Sequence, residues 1–75
     1  MANSQSELGN RLKEIRTRNN YTQADLAALV EVSRKTINTV ENRVFIPSTV
    51  LALKLSQALN VSVEELFYLV DSKAE

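Results

Sequence analysis

Between Thr22 and Asn42 the chain reads TQADLAALVEVSRKTINTVEN, and two helix starts fall only eleven residues apart, at Thr22 and Ser33. A Thr or Ser hydroxyl placed just before an apolar-periodic run accepts the free amides of a first helical turn. Asp25 stands three residues after Thr22 and closes a capping box, while Tyr21 and Leu26 form the flanking apolar staple. Ser33 repeats the arrangement with Val32 and Ile37, although Thr36 occupies the place where a Glu or Gln would complete the box. So short a spacing confines the first helix to about Gln23 to Val30. The chain must then turn at once into the second.

That pattern predicts a helix-turn-helix with a glycine-free turn, the compact arrangement of a major-groove reader. The rest of the chain supplies a helical scaffold for it. Leu8, Leu12 and Ile15 form an apolar stripe that predicts a first helix from about Glu7 to Arg18. Pro47 and Ser48 open a fourth helix running to about Leu59, with Leu51, Leu55, Ala58 and Leu59 facing inward and Asn60 as a left-handed stop. Ser62 and Glu65 make another capping box, stapled by Val61 and Leu66, so a fifth helix is expected from Val63 to about Val70. No strand-like alternation is sustained. The expected fold is all-α, five helices in one domain over residues 1–75, with an ordered core from about 7 to 70 and loose tails at residues 1 to about 6 and from Asp71 to Glu75.

Composition removes whole classes of chemistry. The 75 residues contain no Cys and no His, which leaves no disulfide, no thiolate and no imidazole for metal binding or acid–base work near neutrality. With Gly9 the single glycine, there is no glycine-rich phosphate loop either, and an enzyme is not expected; no cofactor, metal or small-molecule ligand is implied. No apolar run approaches the roughly 20 residues that span a bilayer, and the first residues lack a signal-peptide pattern, so no membrane role and a cytoplasmic location are expected. Nine basic and nine acidic residues cancel, yet residues 1–43 hold seven of the nine basic residues against five acids. The asymmetry suggests a mildly basic side and an acidic far side.

From Arg11 to Val70, roughly four-fifths of the chain, the sequence resembles the lambda-repressor-like, xenobiotic-response-element type of helix-turn-helix proteins. The landmarks are Leu12-Lys13-Glu14-Ile15-Arg16, Thr22-Gln23-Ala24-Asp25-Leu26-Ala27, Val32-Ser33-Arg34-Lys35-Thr36-Ile37, Glu41-Asn42, Pro47-Ser48 and Glu64-Glu65-Leu66-Phe67. Their order and spacing together carry the resemblance. It departs at Glu31 and Arg43, where such proteins commonly have Gly, so Glu31 would have to be left-handed at a cost of roughly 1 kcal/mol.

Double-stranded DNA is the partner this reading implies. At 100° per residue, Ile37 and Val40 point inward and Arg34, Lys35, Asn38, Thr39 and Asn42 share an outward arc of about 140° without a large apolar residue. Arg and Lys donate to guanine O6 and N7, Asn pairs bidentately with adenine, and Thr touches a thymine methyl or a base edge. The resemblance assigns base reading to Arg34, Lys35, Asn38 and Thr39. It also implies that Gln23 and nearby amides hold phosphate; Thr22 and Ser33 at the helix starts, and Asn42 and Arg43 after the second helix, join it as backbone contacts. Arg16 and Glu41 occupy the positions of a partly buried ion pair that sets the helix pair against the scaffold. The apolar excess around the fifth helix, with Val63, Phe67, Tyr68 and Val70, suggests a homodimer interface. The functional expectation is a sequence-specific regulator, most simply a repressor on a palindromic operator. An autoregulating antitoxin or a restriction-modification controller belongs to the same class, and a helical protein-interaction module without DNA binding is the alternative from another class.

Overall fold

The structure, a computed structural model, describes residues 6–71 in the order β1 (Ser6–Asn10), α1 (Leu12–Arg18), α2 (Gln23–Val30), α3 (Arg34–Glu41), α4 (Thr49–Leu59), α5 (Val63–Leu66) and β2 (Phe67–Asp71). Four of the five helices begin at a Ser or Thr whose hydroxyl accepts the amide three residues on: Thr22, Ser33, Ser48 and Ser62. The boxes Thr22–Asp25 and Ser62–Glu65 are both closed, with Asp25 Oδ2 taking the Thr22 amide at 2.9 Å and Glu65 Oε1 the Ser62 amide at 2.8 Å. The backbone and hydroxyl hydrogen bonds from Thr22 hold the Asp25 carboxyl below its ordinary range. A carboxylate there also suits the positive end of α2.

Among the described residues five helices are present, but an all-α description is corrected by a two-stranded ribbon made from segments far apart in sequence. β1 and β2 pair antiparallel in the register Ser6↔Asp71, Glu7↔Val70, Leu8↔Leu69, Gly9↔Tyr68 and Asn10↔Phe67. The first helix therefore starts at Leu12 rather than Glu7, and α5 is a single turn that ends at Leu66, where Phe67 is already extended at φ −124°, ψ 145°. Physical causes lie on both sides. Gly9 and Asn10 are poor helix formers, and the Asn10 side chain accepts the Leu12 amide at 3.0 Å while the Arg11 amide donates to the Leu66 carbonyl at 2.8 Å. Phe67-Tyr68-Leu69-Val70 is an aromatic and branched run that prefers a pleated surface when a partner strand is at hand. Of the expected loose tails, residues 1–5 and 72–75 lie outside the described residues, while Ser6 and Asp71 close the ladder.

Gly9 makes room for its cross-strand neighbours. A Cβ there would come within 2.7 Å of Tyr68 Cζ and 2.9 Å of Val70 Cγ2, because the tyrosine ring lies over the glycine on that face of the ribbon. The Arg11 guanidinium stacks on the same ring, 4.6 Å from its centroid.

The core is drawn from every helix. Leu12, Leu26, Ile37, Leu55 and Leu66 are completely buried, and Ile15, Ala27, Val30, Val40, Leu51, Leu59 and Phe67 close around them. Each fully buried large aliphatic side chain contributes about 1.5–3 kcal/mol through removal from water. Leu8, expected in a helical stripe, instead packs on the rim of this core from β1.

Glu31 caps α2 in the left-handed region, φ 61°, ψ 44°, and its carboxylate meets Lys54 Nζ at 3.3 Å on the surface. Arg43 is also left-handed, at φ 63°. Exposed pairs such as Lys54–Glu31 contribute little, so relief of the Cβ clash dominates. Glu31→Gly should raise stability by roughly 0.5–1 kcal/mol in urea melts, part of the gain being offset by unfolded-chain entropy. A destabilised variant would show that the Lys54 contact outweighs the backbone strain.

Candidate nucleic-acid interface

α2 and α3 are joined by Glu31, Val32 and Ser33, and the left-handed Glu31 is what lets the chain reverse so quickly. Leu26, Ala27 and Val30 of α2 and Ile37 and Val40 of α3 are buried, which fixes the rotation of α3 about its axis. The opposite side is polar. Arg34, Lys35, Asn38 and Asn42 are exposed and Thr39 is half-buried. Among the described residues the ion pairs are Arg16–Glu41, Arg18–Glu14 and Lys54–Glu31, which leaves Arg34, Lys35 and Arg43 without an acidic partner.

Arg16 and Glu41 meet across α1 and α3. Arg16 Nε donates to Glu41 Oε2 at 2.6 Å and Nη2 to Oε1 at 3.3 Å, a two-pronged pair whose side chains are only 9% and 4% exposed. The third guanidinium nitrogen donates to the Tyr21 carbonyl at 2.9 Å, in the turn that leads into α2. One arginine thus ties α1, the start of α2 and the end of α3 together. Asn10 adds a further tie, donating from Nδ2 to the Val40 carbonyl at 2.9 Å. Reasoning from sequence missed Asn10 altogether.

The sequence-assigned backbone contacts divide sharply. The Gln23 side chain does not point away from the protein; its Nε2 donates to Glu41 Oε1 at 3.0 Å and to Asn38 Oδ1 at 3.2 Å, so both amide protons are engaged internally. The Asn42 amide is likewise turned back, to the Asn38 carbonyl at 2.9 Å and to Asn38 Oδ1 at 3.2 Å. Thr22 and Ser33 use their hydroxyls as caps, Ser33 also meeting the Thr36 hydroxyl at 3.0 Å. What the starts of α2 and α3 offer an anion is therefore backbone N–H and dipole rather than side chain. Arg43 is the one cation among the five.

The residues named for a dimer are scattered. Phe67 is buried in the core, Tyr68 and Val70 lie over Gly9, and Val63 lines an apolar groove with Leu8, Pro47, Ala52, Leu53 and Phe67. Since α5 stops at Leu66, no helical stripe runs through this set. Exposed apolar side chains sit instead beside the groove and midway along the ribbon: Phe45, Ile46, Leu53 and Leu69. No helix among the described residues is long and apolar enough to cross a membrane.

A short, tightly turned helix pair, braced by a buried ion pair and presenting a polar second helix, defines a DNA-binding helix-turn-helix regulator. Comparison with known proteins agrees: the helix-turn-helix family model matches residues 12–66, and the chain belongs to that family. The uncharacterised HTH-type transcriptional regulator YgzD of Bacillus subtilis is 38% identical over 60 residues, 80% of this chain and 91% of that one. A second uncharacterised HTH-type transcriptional regulator, MJ0272 of Methanocaldococcus jannaschii, is 39% identical over 64 residues, 85% of this chain and 97% of its own. Among solved structures, the restriction-modification controller protein C.AhdI from Aeromonas hydrophila is similar with a TM-score of 0.70 and 36% identity, covering 73% of this chain and 83% of that one.

Proposed function

We propose that this domain, residues 1–75, is a repressor that acts in the cytoplasm, binds a two-fold-symmetric operator as a homodimer and reads each half-site with Arg34, Lys35, Asn38 and Thr39 of α3. The observation that carries the reading is the outward face of α3, where unpaired cations flank a polar residue held in place from behind, on a helix whose rotation the core fixes. Arg34 and Lys35 stand in the first turn, the part of such a helix that enters the major groove first. Arg43 and the amides at the starts of α2 and α3 hold the sugar–phosphate backbone. The occupant of the apolar groove beside Phe45, Ile46 and Leu53 is a second copy of the chain, which meets Val63 and Phe67 in its lining, while Tyr68 and Val70 face the other side of the ribbon. Likeness to C.AhdI favours one particular version, a controller protein that regulates the genes of a restriction-modification system.

Selection from random duplex DNA tests the proposal. The expected product is a palindrome whose half-sites lie about one helical turn apart, 10–10.5 base pairs, bound by a species that sediments as a dimer at micromolar concentration. A monomer with no selected sequence would leave the fold serving as a protein-interaction module.

A further inference from the structure

We infer that Asn38 meets DNA only as a hydrogen-bond donor, because its carboxamide is oriented by Gln23 of α2 and by Asn42 one turn further along α3. The inference rests on α3 being the base-reading helix, and it replaces the bidentate pairing with adenine that an unconstrained asparagine would make.

The polarity follows from groups that cannot change role. A guanidinium only donates and an ionised carboxylate only accepts, so the Arg16–Glu41 pair fixes Glu41 Oε1 as an acceptor. The Gln23 side-chain atom 3.0 Å from that oxygen must therefore be its nitrogen. The same nitrogen lies 3.2 Å from the Asn38 carboxamide, and the atom it meets there must be Oδ1. A second chain of reasoning, independent of the first, reaches the same atom. The Asn38 main-chain carbonyl can only accept, so the Asn42 amide atom 2.9 Å away is nitrogen, and it too stands 3.2 Å from Asn38 Oδ1.

Oδ1 has two lone pairs, and both are met. Turning the carboxamide over would set its NH₂ against two N–H donors. What remains is Nδ2, with two protons, on an exposed residue. In the major groove guanine presents two acceptors, O6 and N7, and thymine presents O4; cytosine offers only a donor, and adenine pairs its single acceptor with a donor that Asn38 cannot accept. Asn38 therefore selects guanine, with thymine second. Gln23 is a positioning residue for base choice, and the shared chemistry explains why its amide is unavailable to phosphate.

Two measurements test this. In the first, side-chain amide exchange is followed by nuclear magnetic resonance on the free wild-type domain. The Gln23 and Asn42 NH₂ protons should exchange several-fold more slowly than those of Asn38; equal rates, or slower exchange at Asn38, overturn the polarity without reference to DNA. In the second, random duplex DNA is selected with the wild type, Asn38→Ala and the double variant Gln23→Ala/Asn42→Ala. One half-site position should be guanine for the wild type and lose its preference with Asn38→Ala. In the double variant, whose carboxamide is free to turn, adenine should enter at that position and the guanine-over-adenine ratio should fall about tenfold. An Asn38-dependent position that is adenine in the wild type refutes the inference while α3 remains the reader. Selection of no sequence at all overturns the proposed function, and the inference with it.

Discussion

Arg16→Met and Glu41→Gln should each cost on the order of 3 kcal/mol in urea denaturation, the largest stability effect expected of any polar substitution in the domain. The size comes from what stays behind. Without Glu41 the guanidinium remains in a site where its side chain is 9% exposed, and without Arg16 the carboxylate sits at 4%. Each loses its principal partner but keeps the desolvation, and an unpaired buried charge is the expensive case. The Arg16 variant also releases the Tyr21 carbonyl, which holds the entry to α2. Replacing both partners with apolar residues of similar volume should cost much less than the sum, since no charge is then stranded. Additive single losses in the double-mutant cycle would contradict a direct coupling and would move the orienting role to Asn10.

The second large effect separates base reading from backbone binding. Lys35→Ala or Asn38→Ala should weaken binding to the selected operator by roughly 1–3 kcal/mol and relax preference at one or two positions. Stability should barely change for Lys35→Ala, whose side chain is exposed, while Asn38→Ala also removes the acceptor of the Gln23 and Asn42 amides and should cost somewhat more. Arg43→Ala should instead weaken binding about equally on all sequences and lower the slope of log K against log salt by roughly one unit, as one fewer counterion is released. Its left-handed backbone adds a complication of known sign, since Ala tolerates φ 63° no better than Arg. Arg43→Gly removes the charge and the strain together, so the difference between the Gly and Ala variants isolates the strain. If Arg34, Lys35, Asn38 and Thr39 can all be replaced without altering the selected sequence or its affinity at fixed salt, α3 is not the reader.

Local chemistry made much of this fold readable in advance. Thr22, Ser33 and Ser62 announce their helices because a cap is decided within three or four residues, and Asn60 could be placed as a left-handed stop by the same short-range logic, whereas the left-handed Glu31 followed from the resemblance, at a position where such proteins commonly have Gly. The ribbon was missed for the opposite reason. Gly9 and Tyr68 are neighbours across the ladder although 59 residues separate them in sequence (68 − 9), and Leu8 fits a helical stripe as well as it fits a strand. The aromatic and branched run Phe67 to Val70 was the available signal, but a strand has no meaning until its partner is known. The site shows the same division. Which residues of α3 face outward follows from its period, and the Asn42–Asn38 contact is a local one, four residues apart on α3, whereas the turned-in amide of Gln23 depends on how two helices cross.

Pairing β1 with β2 also sets the order in which the domain can assemble. Turns and helix pairs between Leu12 and Leu59 close short loops, while the ladder must bring together segments about sixty residues apart, and chain closure grows costlier with the length enclosed. The helical bundle is thus positioned to form early and the ribbon to seal it late. Ser6 and Asp71 stand side by side at the last rung of the ladder, so the first and last of the described residues are neighbours in space. Removing either β1 or β2 leaves the other strand without a partner, which makes the two strands a single unit of stability.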